Sequence, residues 1–419
     1  MRILLLTDLF PPFIGGLEQH VRNLGQGLVK RGHDVAVATM SHGNLPRYEV
    51  EQGVRIHRMQ GTAQRAATVM NPSGRPYAPP FPDPEVVLAL RRIIARERPA
   101  IVHAHNWLLH SFLPLKAWSG ARLVVTLHDY GVVCARRDLM YRASVCSGPG
   151  LSKCLRCAAR TYGAAKGILV TVGNWATQRA QWSAVDMYLP VSHAVAAGNE
   201  LAKHGLPFHV VPNFVPDGIA SRAQPDDPSL TDLPKTPYLL FVGALSRHKG
   251  IDVLLQAYER LPNAPPLVLI GTKWPDTPSR FPPNTVVLQD VPHNAVMAAW
   301  RRSVIGIVPS VFPDPCPTVV MEAMASGVPV VASRIGGLPS LVIEGETGLL
   351  TAAGSVLELQ DALARLLGDP AMVERMGRAA KREVRSFTAT AVVKRLERIY
   401  SDLLATTEKR PSAVTVGDR

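Results

Sequence analysis

The chain has 419 residues, of which 47% are apolar, enough for two α/β domains of roughly 200 residues, each with its own core. Its formal net charge is +13, but we find no recognition motif or aromatic and basic platform for nucleic acid, which argues against that partner. No apolar run approaches the roughly 18 residues of a membrane-spanning helix, and the chain opens on a strand pattern rather than a secretory signal. We therefore expect a cytoplasmic protein.

Short apolar runs alternate with amphipathic segments along the chain, a pattern typical of α/β layers with parallel sheets. The pattern predicts two doubly wound Rossmann-like domains that face each other across a central cleft. Predicted strands begin at Ile3, Asp34, Ile101, Leu123, Met187, Tyr238, Leu267, Val304 and Val328.

The domain boundary is predicted just after the run Val210-VPNFV. There a stretch rich in Pro and Asp, from Pro216 to Pro237, indicates a linker. Residues 1–214 would form the first domain and residues 215–387 the second. The polar tail, residues 406–419, is predicted to be disordered.

Two adjacent glycines, Gly15 and Gly16, follow the first predicted strand and precede an amphipathic helix. Glycine permits positive φ and a close approach of the backbone to a ligand at the carboxyl end of a strand. We therefore predict that this pair contacts a ligand. The motif G-x-G-x-x-G is absent here, which argues against a dinucleotide dehydrogenase.

Histidines stand at the ends of two predicted strands of the first domain. His128 ends the run Leu123-VVTLH, at the sheet edge where open α/β sheets place their ligands. His103 and His105 end the run Ile101-VHAH and are predicted to face the same cleft.

Four cysteines follow His128, and they are spaced as C-x11-C-x7-C-x2-C. A cytoplasmic location argues against disulfides, and the final C-x2-C has the spacing of zinc ligands. Structural zinc and four ordinary thiols both stay open. The residues concerned are Cys134, Cys146, Cys154 and Cys157.

The segment from Cys134 to Lys166 carries seven basic residues against one acid. Such a segment would attract a phosphate-bearing acceptor or an anionic membrane surface. The alternative is that it belongs to a generally basic protein surface. The basic residues are Arg136, Arg137, Arg142, Lys153, Arg156, Arg160 and Lys166.

The run Phe241-VGALSRHKGIDVLLQA predicts a strand, a loop and a helix at the start of the second domain. Lys249 lies in the loop before the helix, where its charge would pair with a diphosphate that also faces backbone donors. Arg247 offers a second cation in the same loop.

Asp314 and Glu322 are carboxylates separated by seven residues in Pro309-SVFPDPCPTVVMEAMASG. The pattern predicts a buried strand, a loop that holds Asp314, and a short helix capped by Thr318. Glu322, near the helix start, would accept hydrogen bonds from ribose hydroxyls, while the unpaired N–H groups of the helix face a diphosphate. Asp314 would reach the sugar, so the pair suits a nucleotide sugar.

The run Glu322-AMASGVPVVASRIGGLPSLV resembles the nucleotide-sugar segment of the retaining GT-B glycosyltransferases of family 4, and the opening Met1-RILLLTDLFPPFIGGLEQHV resembles that family's first strand, glycine loop and helix. The resemblance implies the GT-B fold, with a last helix at about 388–405 that crosses back onto the first domain. In the family two glutamates form an E-x7-E pattern, the first near the transferred sugar and the second on the ribose. Asp314 is one methylene shorter than the first. Ala244 stands where the family usually has Arg, and we expect Arg247 to supply that guanidinium.

The resemblance implies transfer of a sugar, with retention of anomeric configuration, from a nucleotide diphosphate sugar to a hydroxyl acceptor, which is a glycan, a lipid-linked molecule or a small molecule. The implied catalytic residues are His128, beside the sugar and the acceptor, Asp314 and Lys249. No catalytic metal or cofactor is implied, because Lys249 and helix dipoles would neutralise the leaving diphosphate. Peripheral association with the inner face of the membrane is an additional expectation. Two alternatives stay open, a sugar-nucleotide epimerase of GT-B fold and a noncatalytic nucleotide-sugar-binding protein.

Overall fold

The computed structural model describes residues 1–12, 15–62, 64–65, 78–142 and 144–408, and these build two large sheets and a short hairpin. The first sheet has seven strands in the order β3-β4-β2-β1-β5-β6-β9. All its neighbours pair in parallel except β3 and β4. Its strands are β1 (Arg2–Thr7), β2 (Asp34–Met40), β3 (Tyr48–Glu51), β4 (Val54–Met59), β5 (Ile101–Ala104), β6 (Arg122–Leu127) and β9 (Met187–Pro190), while β7 (Met140–Tyr141) and β8 (Ser144–Val145) form the hairpin.

The second sheet is wholly parallel, with six strands in the order β12-β11-β10-β13-β14-β15. The two parallel sheets confirm the predicted fold class. Strands β3, β4, β12 and β15 were not predicted; β3 and β12 are short, partly exposed edge strands without a continuous apolar run. The strands are β10 (Tyr238–Val242), β11 (Leu267–Ile270), β12 (Thr285–Leu288), β13 (Ser303–Val308), β14 (Val330–Ser333) and β15 (Gly348–Thr351).

Helices cover both faces of each sheet, as the alternation of strands and amphipathic segments requires. In the first half of the chain they are α1 (Gly16–Lys30), α2 (Pro84–Glu97), α3 (Leu109–Phe112), α4 (Lys116–Ser119), α5 (Leu151–Tyr162), α6 (Ala164–Ala184) and α7 (His193–Gly198). In the second half they are α8 (Ile251–Glu259), α9 (His293–Arg302), α10 (Thr318–Ser326), α11 (Val356–Leu367), α12 (Pro370–Glu383) and α13 (Ala389–Glu408).

The last helix, α13, lies on the first sheet although it follows the second sheet in sequence. Its residues Val393 and Leu396 are buried in one cluster with Leu5 and Leu24. The helix continues to Glu408, so the prediction of a disordered tail is wrong for residues 406–408. The rest of that predicted tail, residues 409–419, lies outside the described residues.

The stretch from Pro216 to Pro237, predicted as a linker, is folded against the core. It contains the 3-10 turns Ile219–Arg222 and Pro228–Leu230. Leu230 and Leu233 are buried in a hydrophobic cluster that also contains residues of both sheets. Burial in this cluster removes their apolar side chains from water. The division at residues 214 and 215 stays a prediction.

Candidate functional site

Lys249 is held in place by the tight packing of the loop between β10 and α8. It ends the 3-10 turn Arg247–Lys249 and is followed by Gly250, whose φ is +78°. A Cβ at Gly250 would lie 1.8 Å from the carbonyl oxygen of Pro309, so only glycine fits at this crossing. The ammonium of Lys249 lies 2.5 Å from Asp314 Oδ2 and 5.0 Å from the centre of the Phe312 ring.

Asp314 is buried in the loop between β13 and α10, with 5% of its surface exposed. Two glycines pack against that loop. The amide of Gly337 donates to the carbonyl of Asp314 at 2.7 Å, and a Cβ at Gly336 would lie 2.4 Å from the same oxygen. An ionised carboxylate accepts about four hydrogen bonds, so Asp314 keeps acceptor capacity for sugar hydroxyls beside its Lys249 partner.

Glu322 is buried in α10, one turn from the helix start, and its Oε1 lies 3.0 Å from Nε2 of His293. This hydrogen bond raises the pKa of His293 above its usual value. His293, the first residue of α9, was not predicted, because nothing in the local sequence links it to a residue so far along the chain. The contact keeps the Glu322 carboxylate oriented.

The predicted cap of α10 is wrong. Pro317 occupies the cap position, no side-chain capping bond forms, and Thr318 is the first helical residue. Proline has no side-chain acceptor, so the first N–H groups of α10 receive no capping bond from this residue. Arg247 is mostly exposed, and its Nε lies 3.2 Å from Asp252 Oδ2, so its guanidinium pairs with α8.

The glycine pair before α1 does not have the predicted backbone conformation. Gly15 is extended at the cap position, with φ −172°, and Gly16, the first helical residue, does not have positive φ. A Cβ at Gly15 would lie 2.2 Å from Glu18 Oε2. At Gly16 no heavy atom of the described chain lies within 4 Å of such a Cβ. The open space beside Gly16 leaves room for a ligand to approach the start of α1.

Three imidazoles gather at the carboxyl edge of the first sheet. His105 Nδ1 lies 3.0 Å from His128 Nε2, and the His20 ring centre lies 4.9 Å from that of His128. Burial lowers the pKa of His128 to about 3 and also lowers the pKa of His20 and of His105. All three are therefore neutral near pH 7, and each can both donate and accept a hydrogen bond. His20 was not predicted.

His103 does not face the cleft as predicted. Its Nε2 lies 2.7 Å from Thr126 Oγ1, and its Nδ1 lies 2.6 Å from the hydroxyl of Tyr400 on α13. Both ring nitrogens are thus used by the fold, and the residue is fully buried. His103 joins the last helix to the first sheet.

Asp8, directly after β1, is a buried acid that was not singled out from the sequence. Its Oδ1 accepts a hydrogen bond from the amide of Leu108 at 2.8 Å, and its Oδ2 has no partner among the described residues. Burial raises the pKa of Asp8 to about 7. Its position at the end of the first strand, just before the glycine loop, is the sequence signal that could have identified Asp8 as a candidate site residue.

Two hydrogen bonds join the His128 side of the site to the Asp314 side. The hydroxyl of Tyr130 donates to the carbonyl of Pro313 at 2.9 Å, and the Asn213 amide donates to the carbonyl of Cys316 at 3.0 Å. Tyr130 follows His128 by two residues, and Pro313 directly precedes Asp314. The structure therefore brings the segment that follows His128 into contact with the segment that holds Asp314, and Lys249 lies beside Asp314 through their ion pair.

The four clustered cysteines do not form a metal site as they lie in the structure. All four are free, and burial raises the pKa of the Cys134 thiol to about 11. Within the described ranges, one group of side chains has ligand atoms close enough to share a metal ion. It consists of His20, His105 and His128, and it contains none of these cysteines. Sulfur atoms of the other three lie near separate backbone groups, at Gly148 for Cys146, Gly150 for Cys154 and Met140 for Cys157.

Two of the predicted acceptor-side cations are used within the protein. Arg136 lies 2.5 Å from Asp138, and Arg137 lies 2.6 Å from Asp129, the residue after His128. These ion pairs neutralise part of the predicted charge near the cleft. The basic surface therefore depends more on the residues that follow.

Two family models together match most of the chain. The model described as Glycosyltransferase Family 4 matches residues 14–218, and the model described as Glycosyl transferases group 1 matches residues 225–383. The D-inositol 3-phosphate glycosyltransferase of Corynebacterium glutamicum is 37% identical to this chain over a matched region. That region covers 41% of this chain and only 44% of the length of that protein. The glycogen synthase of Mycobacterium tuberculosis is 27% identical over 92% of this chain and 91% of its own.

Solved structures share the fold along nearly the whole chain. Sucrose-phosphate synthase from Thermosynechococcus elongatus matches with a TM-score of 0.73 and 22% identity, covering 96% of this chain and 99% of its own. The Anabaena protein HepE, in complex with UDP-glucose, matches with a TM-score of 0.66 and 15% identity, again covering 96% and 99%. These likenesses confirm the expected GT-B fold.

Proposed function

We propose that this chain, which belongs to the family of group 1 glycosyltransferases, transfers a sugar from a nucleoside diphosphate sugar to a hydroxyl acceptor with retention of anomeric configuration. The contact between Lys249 and Asp314, in one cleft with His128, carries this proposal. The pair would provide a cation for the leaving diphosphate beside an acid for the sugar.

The donor would exchange partners with the Lys249 and Asp314 pair. Lys249 would turn part of its charge to the diphosphate, on which negative charge grows as the glycosidic bond breaks. The acceptor capacity released on Asp314 would bind sugar hydroxyls, and Glu322 would bind the ribose. Both carboxylates are already buried and paired with Lys249 and His293, so the donor would take over part of these existing contacts when it enters.

On the acceptor side, His128 would orient the attacking hydroxyl rather than remove its proton. A histidine whose pKa is lowered to about 3 is a weak base at neutral pH. The proton of the acceptor would instead pass to the leaving phosphate oxygen, on the same face of the sugar as the attack. Because Nε2 of His128 already bonds to His105 at 3.0 Å, the other ring nitrogen, Nδ1, would fix the direction of approach.

The acceptor would be a hydroxyl of a growing polysaccharide, a glycolipid or a small molecule, met at the cytoplasmic side of a membrane or in solution. Arg142, whose guanidinium carbon lies 5.6 Å from the centre of the Tyr141 ring, is the cation that we expect to bind a phosphate on that acceptor. Structural zinc at the four cysteines also remains a proposal. Metal analysis of untagged protein tests it, because stoichiometric zinc would require Cys146, Cys154 and Cys157 to leave their backbone contacts.

A panel of nucleotide sugars screened by thermal unfolding, followed by assay of released nucleoside diphosphate, tests the proposed function. A donor at 100 times its dissociation constant should stabilise the protein by about 2.7 kcal/mol. Binding by no member of a panel of common nucleotide sugars would contradict the proposal. Donor binding with neither sugar transfer nor slow donor hydrolysis would favour a noncatalytic binding protein. Formation of an epimer of the donor in the absence of an acceptor would favour an epimerase.

A further inference from the structure

Helices α5 and α6 form a helical hairpin, residues 151–184, on the outside of the first sheet. The turn between them is Gly163, with φ +83°. A Cβ at Gly167 would lie 2.5 Å from backbone atoms of Ala158, so the helices cross at a distance that only glycine permits. The two helices are therefore fixed relative to each other.

The outer face of α6 is apolar and exposed to solvent. Single exposed apolar residues are ordinary, but here four stand at spacings of one, four and seven residues, which places them on one side of a helix. They are Ile168, Leu169, Val172 and Trp175, with 50%, 49%, 44% and 65% of their surface exposed.

The charge of the helical hairpin is entirely positive. No Asp or Glu occurs between residues 151 and 184, whereas the same segment contains five cations, Lys153, Arg156, Arg160, Lys166 and Arg179. Exposed apolar residues that include a Trp, in a segment whose charges are all positive, are features of helices that lie in the headgroup region of anionic membranes. A protein partner would not require the complete absence of acids.

The buried face of α6 touches the loop that follows His128. Asn174 Nδ2 and Gln178 Nε2 donate to the carbonyl of Val132, at 3.4 and 3.2 Å. Gln181, one turn further on, lines the same small cavity as His105 and His128. The apolar outer face is thus separated from the acceptor side of the cleft by little more than the thickness of one helix, about 10 Å.

We propose that the outer face of the helical hairpin docks onto an anionic membrane surface, with the hairpin lying in the interface. Among the described residues, we find no helix with the length and hydropathy of a transmembrane span. One consequence rests on the proposed function: the acceptor hydroxyl belongs to a lipid, and docking presents it to His128.

Sedimentation with vesicles tests the docking. One set of vesicles is phosphatidylcholine alone, and the other is equal parts phosphatidylcholine and phosphatidylglycerol. The wild-type protein should partition onto the anionic vesicles roughly tenfold more strongly, and added salt should weaken this binding. The triple variant Leu169→Gln, Val172→Gln, Trp175→Gln should lose roughly tenfold in partition, and the pair Arg156→Gln, Arg160→Gln should lose the preference for phosphatidylglycerol.

A matched triple variant on other exposed positions, Leu88→Gln, Trp118→Gln and Leu357→Gln, should bind vesicles like the wild type. The proposal is overturned if the wild type ignores anionic vesicles, or if the two triple variants behave alike. It is also overturned if light scattering shows a wild-type dimer that becomes monomeric in the α6 variant while vesicles are not bound. In that case the face is covered by a second copy of the chain.

Donor binding on the same proteins separates this inference from the proposed function. Calorimetric titration with the nucleotide sugar should give equal affinities for the wild type and the α6 variant, because the donor residues Lys249 and Glu322 lie on other elements. Loss of vesicle binding with donor binding intact is the expected result. If the protein binds vesicles but no donor, the result would support the membrane-docking proposal and contradict the proposed function.

Discussion

The ammonium of Lys249 lies 2.5 Å from Oδ2 of Asp314, so the cation proposed for the diphosphate and the acid proposed for the sugar are in direct contact. Asp314 is nearly fully buried, and an unpaired carboxylate there would be costly. The ion pair holds both side chains in place, and in the proposed mechanism the donor would replace this contact. Each residue therefore affects both the stability and the chemistry of the site.

Replacement of Lys249 by Ala should lower turnover about 100-fold while changing donor affinity much less, because negative charge on the diphosphate is largest in the transition state. Single-turnover rates and calorimetric affinities check this. The variant Lys249→Ala, Asp314→Asn removes the unpaired carboxylate, so it should regain stability without regaining turnover. Lys235→Ala, at an exposed position of the same domain, serves as the control. Equal losses in affinity and turnover would reduce Lys249 to a docking residue.

Replacement of Glu322 by Gln should weaken donor binding by roughly 1.5–3 kcal/mol, the value of a charge-assisted hydrogen bond, and leave the fold intact. Calorimetric titration with the donor found in the screen measures the loss. The exposed Glu346→Gln in the same domain should bind like the wild type. Unchanged affinity in Glu322→Gln would remove the ribose assignment.

Replacement of Tyr130 by Phe removes the bond to the Pro313 carbonyl, which joins the two sides of the cleft. We expect a stability loss of about 1 kcal/mol and a clear fall in kcat, because His128 and Asp314 are no longer held in register. Tyr258→Phe is the matched control, since its hydroxyl donates to Pro265 at the same 2.9 Å but within the second sheet's domain. That variant should lose stability alone. Equal kinetic effects in both would contradict a positioning role for Tyr130.

Much of the fold followed from the sequence because parallel strands buried on both faces form continuous apolar runs. The runs at Leu123 and Tyr238 are of this kind, and both became central strands. Lys249 and the paired acids could also be located from local patterns. Strand β12 could not, because its partly exposed residues lack such a run.

Contacts between distant parts of the chain account for what was missed at the site. His293 meets Glu322, and Tyr130 meets Pro313, through packing that no local spacing records. His20 lies on α1, four residues beyond the glycine pair, and only the fold shows that it faces His128. Local sequence indicates which residues can do chemistry, while the contacts that orient them depend on the complete fold.

Buried histidines should make the fold less stable as the pH falls below 6.5. Burial lowers the pKa of His103 and His128 to about 3 and that of His110 to about 4. The unfolded chain then binds protons that the folded chain does not, so stability falls by about 1.4 kcal/mol per pH unit for each histidine. Asp8 acts in the opposite sense, because burial raises its pKa to about 7. Its contribution makes the folded protein less stable as the pH rises from 3.8 to about 7.

Since the histidines outnumber Asp8, the free energy of unfolding should decrease between about pH 6.5 and about pH 5. Urea titrations at several pH values measure the slope. His110→Gln removes one such group and should reduce the slope by about one proton. A stability that stays level over this range would contradict the neutral, buried state of these histidines.

The anomeric configuration of the first product tests the central claim most directly. The protein would be incubated with an α-linked nucleotide sugar and either an acceptor or water, and proton NMR would follow the anomeric signal before the free sugar equilibrates. A retaining glycosyltransferase gives the α-configured product first, together with one nucleoside diphosphate per sugar. Initial appearance of the β product, or of an epimerised nucleotide sugar without diphosphate release, would contradict retaining transfer.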